Sequence, residues 1–139
     1  MIVLDTNVVS ETMRPAPSPA VMAWLNAQDI HTLYLTAVSL AELRSGIARL
    51  DEGKTKLDLS GRLERMLDQV FPGRILSFDA GSAQAFAERM TAAQRNGRAV
   101  GFQDAMIGAS VAVKGFAIAT RDTSPFNAMG LQVVNPWDC

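Results

Sequence analysis

Short apolar runs alternate along this chain with longer segments in which apolar residues recur every three or four positions. The short runs predict buried strands, and the longer periodic segments predict helices with one buried face. We expect strands at residues 2–4, 33–37, 75–78, 116–120 and 131–134. We expect helices at about 7–14, 18–27, 39–50, 54–71, 79–97 and 102–113.

The alternation of strands and helices predicts an α/β fold. Strands joined through helices run parallel in one sheet, which helices then cover on both faces. Right-handed crossovers place every strand-to-helix turn at the same edge of that sheet. Residues 1–139 are expected to form one domain, because 48% of the 139 residues are hydrophobic and such a core needs no disulfide or metal.

Composition and charge narrow the classes of function. The chain has 13 basic and 14 acidic side chains, which argues against a dedicated nucleic-acid-binding protein but permits an enzyme that acts on RNA. The single cysteine, Cys139, excludes an intramolecular disulfide and is typical of the cytoplasm. No segment approaches the roughly 20 apolar residues of a membrane span, so we expect no membrane association.

Three acidic residues follow predicted strands: Asp5, Glu42 and Asp122. A fourth, Asp104, stands in the first turn of a predicted helix. Open α/β sheets place ligand-handling groups just outside the carboxyl ends of their strands. Acids without histidine or cysteine among them favour a hard divalent cation over acyl-transfer chemistry. Each acid alone also fits a helix cap or a first-turn charge, and Glu42 fits a capping box with Ser39. Helix capping does not require the four acids to lie close together, so their convergence at one place would favour a shared cation site over capping.

Asp79 offers an internal comparison, because it follows the third strand as Asp5 follows the first. If the third strand lies at an edge of the sheet, Asp79 only caps its helix. The most uniformly apolar strands, at 2–4 and 116–120, are expected to be central neighbours. A reversal of strand order between them would bring Asp5 and Asp122 together.

Six segments extend this picture over nearly the whole chain: Leu4-Asp5-Thr6-Asn7-Val8-Val9-Ser10-Glu11 with Arg14-Pro15, Leu40-Ala41-Glu42-Leu43-Arg44-Ser45-Gly46, Gly73-Arg74-Ile75-Leu76-Ser77-Phe78-Asp79, Asp104-Ala105-Met106-Ile107-Gly108-Ala109, Ala119-Thr120-Arg121-Asp122-Thr123 and Asn135-Pro136-Trp137. In these segments and their order, the chain resembles PIN-domain ribonucleases. The resemblance is to the VapC-type toxins of bacterial toxin–antitoxin pairs and to their FitB-like branch.

The resemblance implies a three-layer PIN-like fold with a five-stranded parallel sheet in the order 3-2-1-4-5, flanked by helices. It implies Mg²⁺ or Mn²⁺ held directly by Asp5 and Asp104, with Glu42 and Asp122 in support as the other catalytic acids. Family members often carry asparagine where Asp122 stands, and Gln103 departs from the small or hydrophobic residues common there. We expect three polar residues to steady the ligands or their waters: Thr6, Asn7 and Thr120. Arg44 and Arg121 are expected either at substrate phosphates or in surface ion pairs.

The implied activity is metal-assisted hydrolysis of RNA phosphodiesters by a toxin that forms homodimers. A cognate antitoxin would block the cleft in a dimer of heterodimers, and DNA would be bound only through that antitoxin. A phosphatase that uses Asp5 as nucleophile, as haloacid dehalogenases do, is disfavoured because Asn7 stands where that family has a second aspartate. A catalytically silent PIN-like interaction module within an antitoxin–DNA regulatory complex remains open.

Overall fold

The computed structural model describes residues 1–139 and contains a five-stranded sheet in the order β3-β2-β1-β4-β5. Every neighbouring pair of strands is parallel. The strands are β1 (Ile2–Leu4), β2 (Leu33–Thr36), β3 (Ile75–Leu76), β4 (Ala117–Ala119) and β5 (Val133–Val134). The expected α/β fold and its strand order are confirmed.

Seven α-helices connect and cover these strands: α1 (Thr6–Thr12), α2 (Pro19–Asn26), α3 (Ala37–Ala48), α4 (Lys54–Gln69), α5 (Ala80–Arg95), α6 (Phe102–Lys114) and α7 (Thr123–Ala128). Short 3₁₀ turns occur at Ile30–Thr32 and Pro136–Asp138. The sequence pattern predicted the first six helices but not α7, which is only 6 residues long. None of the helices combines the length and apolar character that crossing a membrane requires.

The two central strands bury side chains on both faces of the sheet. Leu4 and Ala119 belong to one apolar cluster, which also includes side chains of α1 to α4. Val3 and Ile118 belong to a second cluster on the opposite face, with side chains from α6 and α7. Successive strand residues point to opposite faces, so both clusters require apolar side chains from β1 and β4. This requirement explains the continuous apolar runs in the sequence.

The start of α3 differs from the sequence prediction. β2 ends at Thr36, one residue earlier than expected, because Thr36 is the N-cap of α3. Its Oγ1 accepts a hydrogen bond of 3.0 Å from the Ser39 backbone N–H. Ser39 therefore lies inside the helix, and the capping-box interpretation that paired it with Glu42 is wrong.

Candidate active site

Asp5 lies directly after β1, and its carboxylate is held by several donors. Its backbone N–H donates to the Ala119 carbonyl at 2.9 Å, which continues the pairing of β1 with β4. Oδ1 accepts from the Thr6 N–H at 2.8 Å, so Asp5 also caps α1. Oδ2 accepts from Thr120 Oγ1 at 2.8 Å and from Asn7 Nδ2 at 3.4 Å. The carboxylate is only 5% exposed and is fixed from both sides.

The carboxyl groups of Asp5, Glu42 and Asp104 all have a raised pKa, and burial is the largest cause for each. Charge repulsion adds to burial. Asp122 raises the pKa of Asp5, and Asp5 raises the pKa of both Glu42 and Asp104. Asp104 also raises the pKa of Glu42. Carboxylates repel one another in this way only when they are close together.

No basic side chain neutralises this acid cluster, formed by Asp5, Glu42, Asp104 and Asp122. The ion pairs of the protein all involve other carboxylates. No three acidic, histidine or cysteine side chains form a ready-made cage for a metal ion. Mg²⁺ in proteins is commonly held by one or two carboxylates, with waters and substrate phosphates completing its shell. The donor set and its unbalanced negative charge fit such an ion.

Glu42 reaches the cluster from α3 and is half-buried. Gln103 and Thr6 lie close enough to its carboxylate to offset part of the rise in its pKa. The Thr6 hydroxyl is nevertheless buried without forming a hydrogen bond of its own. A buried hydroxyl without a partner costs free energy, so this position suits a water that would also contact the carboxylates.

Asp104 and Asp122 come from the first turns of two helices. Asp104 is the third residue of α6, and Gly101 is the N-cap of that helix. Asp122 holds the N-cap position of α7, but its side chain accepts no capping hydrogen bond. Capping therefore does not account for Asp122. By contrast, Asp79 caps α5 from the end of the edge strand β3, accepting from the N–H and the hydroxyl of Ser82.

Asn7 connects both central strand ends. Its Nδ2 donates to Asp5 Oδ2 and to Thr120 Oγ1, and its Oδ1 accepts from the Arg121 N–H at 3.3 Å. An amide so engaged supports the position of Asp5 and supplies no acid. The geometry therefore does not support a phosphatase mechanism, because that mechanism needs a general acid at position 7 and Asn7 is an amide.

The PIN domain family matches residues 2–130 of the chain. The chain belongs to the PIN domain family. A relative called VapC ribonuclease Y4jK, from Sinorhizobium fredii, is 46% identical over 138 residues and is covered to 99%, as is this chain. Toxin FitB from Neisseria gonorrhoeae is 42% identical over 137 residues, with 99% of each chain covered.

Solved structures support the same family assignment. FitAcB from Neisseria gonorrhoeae superposes with a TM-score of 0.95 at 42% identity, with 100% of both chains covered. FitAB bound to an IR36 DNA fragment gives a TM-score of 0.94 at 41% identity, covering 99% of this chain and 96% of the other. The resemblance to PIN-domain proteins of the VapC and FitB type is confirmed.

In this PIN domain, the two arginines expected at phosphates have other partners. Arg44 Nη1 lies 2.6 Å from Glu64 Oε1 of α4. The Arg121 guanidinium stacks on Trp137, 5.2 Å from the ring centroid. Neither arginine forms an ion pair with the acid cluster. Their contact with phosphate stays a prediction, and it requires each side chain to leave its present partner.

Two cavities flank the acids, and Glu42 and Thr6 line both of them. The larger, of about 730 Å³, lies among α1, α3 and α4, and its wall includes Arg14, Lys54 and Arg62. The smaller, of about 610 Å³, lies between α3 and α6. Glu42 is the one acid of the cluster that lines either cavity, and it lines both, so the two cavities meet beside its carboxylate.

Proposed function

We propose that this PIN domain is the toxin of a type II toxin–antitoxin system and acts as an Mg²⁺- or Mn²⁺-dependent endoribonuclease. The observation that carries this function is the gathering of four carboxylates, none with a cationic partner, at one edge of the sheet. The names of the relatives, VapC ribonuclease and Toxin FitB, support a nuclease and a toxin. The chain would act in the cytoplasm, where RNA is accessible.

Asp5 and Asp104 would hold the ion directly, while Glu42 and Asp122 would orient its waters. Each oxygen of a carboxylate has two lone pairs. Oδ1 of Asp5 accepts one hydrogen bond, from the Thr6 N–H, and keeps a lone pair for a cation, whereas Oδ2 already accepts from Thr120 and Asn7. When bound, the ion would stabilise charge on the phosphoryl oxygen and lower the pKa of an attacking water.

The remaining residues of the site would act by positioning. Thr120 and Asn7 hold Asp5 in one orientation through hydrogen bonds, so little rearrangement is needed on binding. The unpartnered Thr6 hydroxyl would hold a water beside Glu42. A bound cation would also neutralise the acids and so remove their repulsion of the RNA phosphates. Water attack at phosphorus would leave a 5′-phosphate and a 3′-hydroxyl.

The proposal includes the partners of the toxin. FitAcB and the DNA-bound FitAB are complexes of close relatives, and they support a cognate antitoxin for this chain. We propose a homodimer of the toxin, assembled with the antitoxin as a dimer of heterodimers. DNA would be contacted only through the antitoxin, and RNA would be the substrate of the free toxin.

A cleavage assay with matched variants tests the proposed function. A panel of unrelated RNAs is incubated with the protein in Mg²⁺, Mn²⁺ or EDTA, beside Asp5→Asn and Asp104→Asn. Asp79→Asn is the control, because Asp79 has the same chemistry but caps α5 away from the cluster. We expect metal-dependent cleavage by the wild type and Asp79→Asn only.

Three other outcomes have distinct meanings. Equal cleavage by the wild type, Asp5→Asn and Asp104→Asn would remove the metal site from the proposal. Absence of cleavage of every RNA would favour a silent interaction module. Hydrolysis of small phosphomonoesters alone would favour a phosphatase.

A further inference from the structure

The smaller cavity has a wall whose chemistry differs from that of the acid cluster. Its mouth is lined by an aromatic ring, a carboxamide, a hydroxyl and a guanidinium: Phe102, Gln103, Ser45 and Arg49. Glu42 and Thr6 line the same cavity, and the Glu42 carboxylate interacts with the charges of Asp5 and Asp104. A molecule in this cavity would therefore lie against Glu42, which connects the cavity to the rest of the acid cluster.

Phe102 presents an exposed aromatic face at this mouth. It is 69% exposed, although phenylalanine is usually buried. Its ring packs edge-on against Phe86 with centroids 5.0 Å apart, and Phe86 packs in the same way against Phe78 at 6.4 Å. The contact with Phe86 supports the Phe102 ring from one side, and most of the side chain remains exposed to a ligand. Such fixed aromatic faces bind the bases of single-stranded nucleic acids by stacking.

Arg49 supplies an unneutralised positive charge beside this ring. Its Nη1 donates to Ser45 Oγ at 3.0 Å, which orients the guanidinium, and no carboxylate lies within ion-pair distance of it. The arginines at positions 14, 44 and 62 all have acidic partners. An oriented guanidinium with free donors is well suited to phosphate.

We propose that this cavity is a subsite for one nucleotide of single-stranded RNA, adjacent to the scissile phosphate. The base stacks on Phe102, the Gln103 carboxamide contacts its polar edge, and Arg49 contacts the phosphate. The proposal rests on the RNA-cleaving function proposed above. A wall that combines an aromatic face, an amide and an unpaired guanidinium beside carboxylates matches a nucleotide better than it matches an apolar protein surface.

Kinetics on single-stranded RNA test the subsite. Phe102→Ala is expected to raise KM about 10-fold with little change in kcat, because the ring touches no reacting atom. Phe102→Trp should keep a KM near that of the wild type. Arg49→Ala should raise KM and make binding less sensitive to salt, as expected when one phosphate contact is lost. Leu57→Ala and Arg65→Ala are matched controls, because both side chains are exposed and line neither cavity.

Fluorescence provides a readout that does not depend on cleavage. A Phe102→Trp, Asp104→Asn double variant is titrated with single-stranded RNA, and Asp104→Asn alone gives the background of the 2 native tryptophans. Quenching of the additional tryptophan is the expected result. Circular dichroism of each variant verifies that the fold is retained.

The outcomes separate this subsite from the proposed function. If the wild type cleaves RNA and Phe102→Ala and Arg49→Ala have unchanged KM, the subsite is wrong and the nuclease function stands. If the wild type neither binds nor cleaves RNA, both fall together. If Phe102→Ala leaves RNA affinity unchanged and turns a dimer into a monomer in sedimentation velocity, this face is an interface between copies of the chain.

Discussion

The Thr120 hydroxyl donates a 2.8 Å hydrogen bond to Asp5 Oδ2, across a sequence separation of 115 residues. The hydroxyl oxygen of Thr120 itself accepts from Asn7 Nδ2 at 3.2 Å and from the Asp122 N–H at 3.1 Å. Thr120 is fully buried, so these bonds do not compete with water. One hydroxyl therefore orients an acid of the site and fixes the start of the segment that carries another.

Thr120→Val tests this arrangement, because valine has a similar shape but cannot form these hydrogen bonds. We expect Mn²⁺ affinity to fall about 10- to 100-fold, as when an outer partner of a metal ligand is removed. The free energy of unfolding should fall by about 1–3 kcal/mol, because buried polar groups lose their partner. Calorimetric titration and urea denaturation measure both. Thr120→Ser, which keeps the hydroxyl, should resemble the wild type, and a similar loss in both variants would contradict the role of the hydroxyl.

The pH dependence of stability should report the repulsion within the acid cluster. Asp5, Glu42 and Asp104 have pKa values above the ordinary 3.8 of aspartate and 4.5 of glutamate, so the folded state binds more protons than the unfolded state just above those values. The contribution of the cluster to stability is therefore greatest below the ordinary pKa values and falls as pH rises through the raised ones.

Asp104→Asn removes one charge from the cluster and should become more stable relative to the wild type in EDTA as pH rises above the ordinary pKa values of aspartate and glutamate. Urea denaturation at several pH values measures the difference in the free energy of unfolding. Saturating Mn²⁺ should stabilise the wild type more than the variant, because a cation that binds only the folded state shifts the equilibrium towards it. A difference that does not vary with pH would contradict the repulsion.

Asp79 and Asp122 hold the same helix position with opposite expected consequences. Asp79→Ala should lower the free energy of unfolding by about 1 kcal/mol, because the side chain accepts from Ser82, and should leave RNA cleavage unchanged. Asp122→Ala should affect stability little, since its side chain accepts no capping bond, and should weaken Mn²⁺ binding. Thermal denaturation and metal titration of the two variants distinguish these effects, and a reversed pattern would reject the division between cap and site.

Gly108 marks a close approach between α6 and the end of α7. A Cβ atom at this position would lie 2.6 Å from Met129 Sδ and 2.8 Å from its Cε, and Met129 is itself buried. Gly108→Ala should therefore cost about 1–3 kcal/mol through overpacking. Gly46→Ala is the control, because nothing lies within 4 Å of the added atom, and it should be neutral or stabilising by up to about 1 kcal/mol. Equal stability of both variants in urea denaturation would contradict the packing argument.

The central part of the fold could be predicted from the sequence because burial on both faces leaves a visible apolar run. The limits of the edge strands could not. β3 pairs only with β2, and β5 pairs only with β4, and each pairs through two residues. Phe78 and Leu131 lie outside the paired residues but are apolar because Phe78 packs on Phe86 of α5 and Leu131 packs on the second apolar cluster. The sequence pattern does not distinguish such packing from strand pairing.

The acids could be predicted from their positions at strand ends and helix starts, but the partners of the basic residues could not. Arg44 pairs with Glu64 across two helices, and Arg121 stacks on Trp137 of the last turn. Such contacts depend on how elements pack, which spacing along the chain does not specify. Phe102 gave only a weak signal, as an aromatic residue at the first position of a helix.

The strand order also determines when the acid cluster can assemble during protein synthesis. β1 is synthesised before its neighbour β4, and more than 100 residues separate the paired positions Ile2 and Ala117. Asp5 is synthesised before Asp104, Thr120 and Asp122, and the cluster forms only after all of them have been made. A nascent chain that does not yet contain residue 122 lacks the assembled cluster, so any cleavage that the cluster supports begins only after that residue has been made.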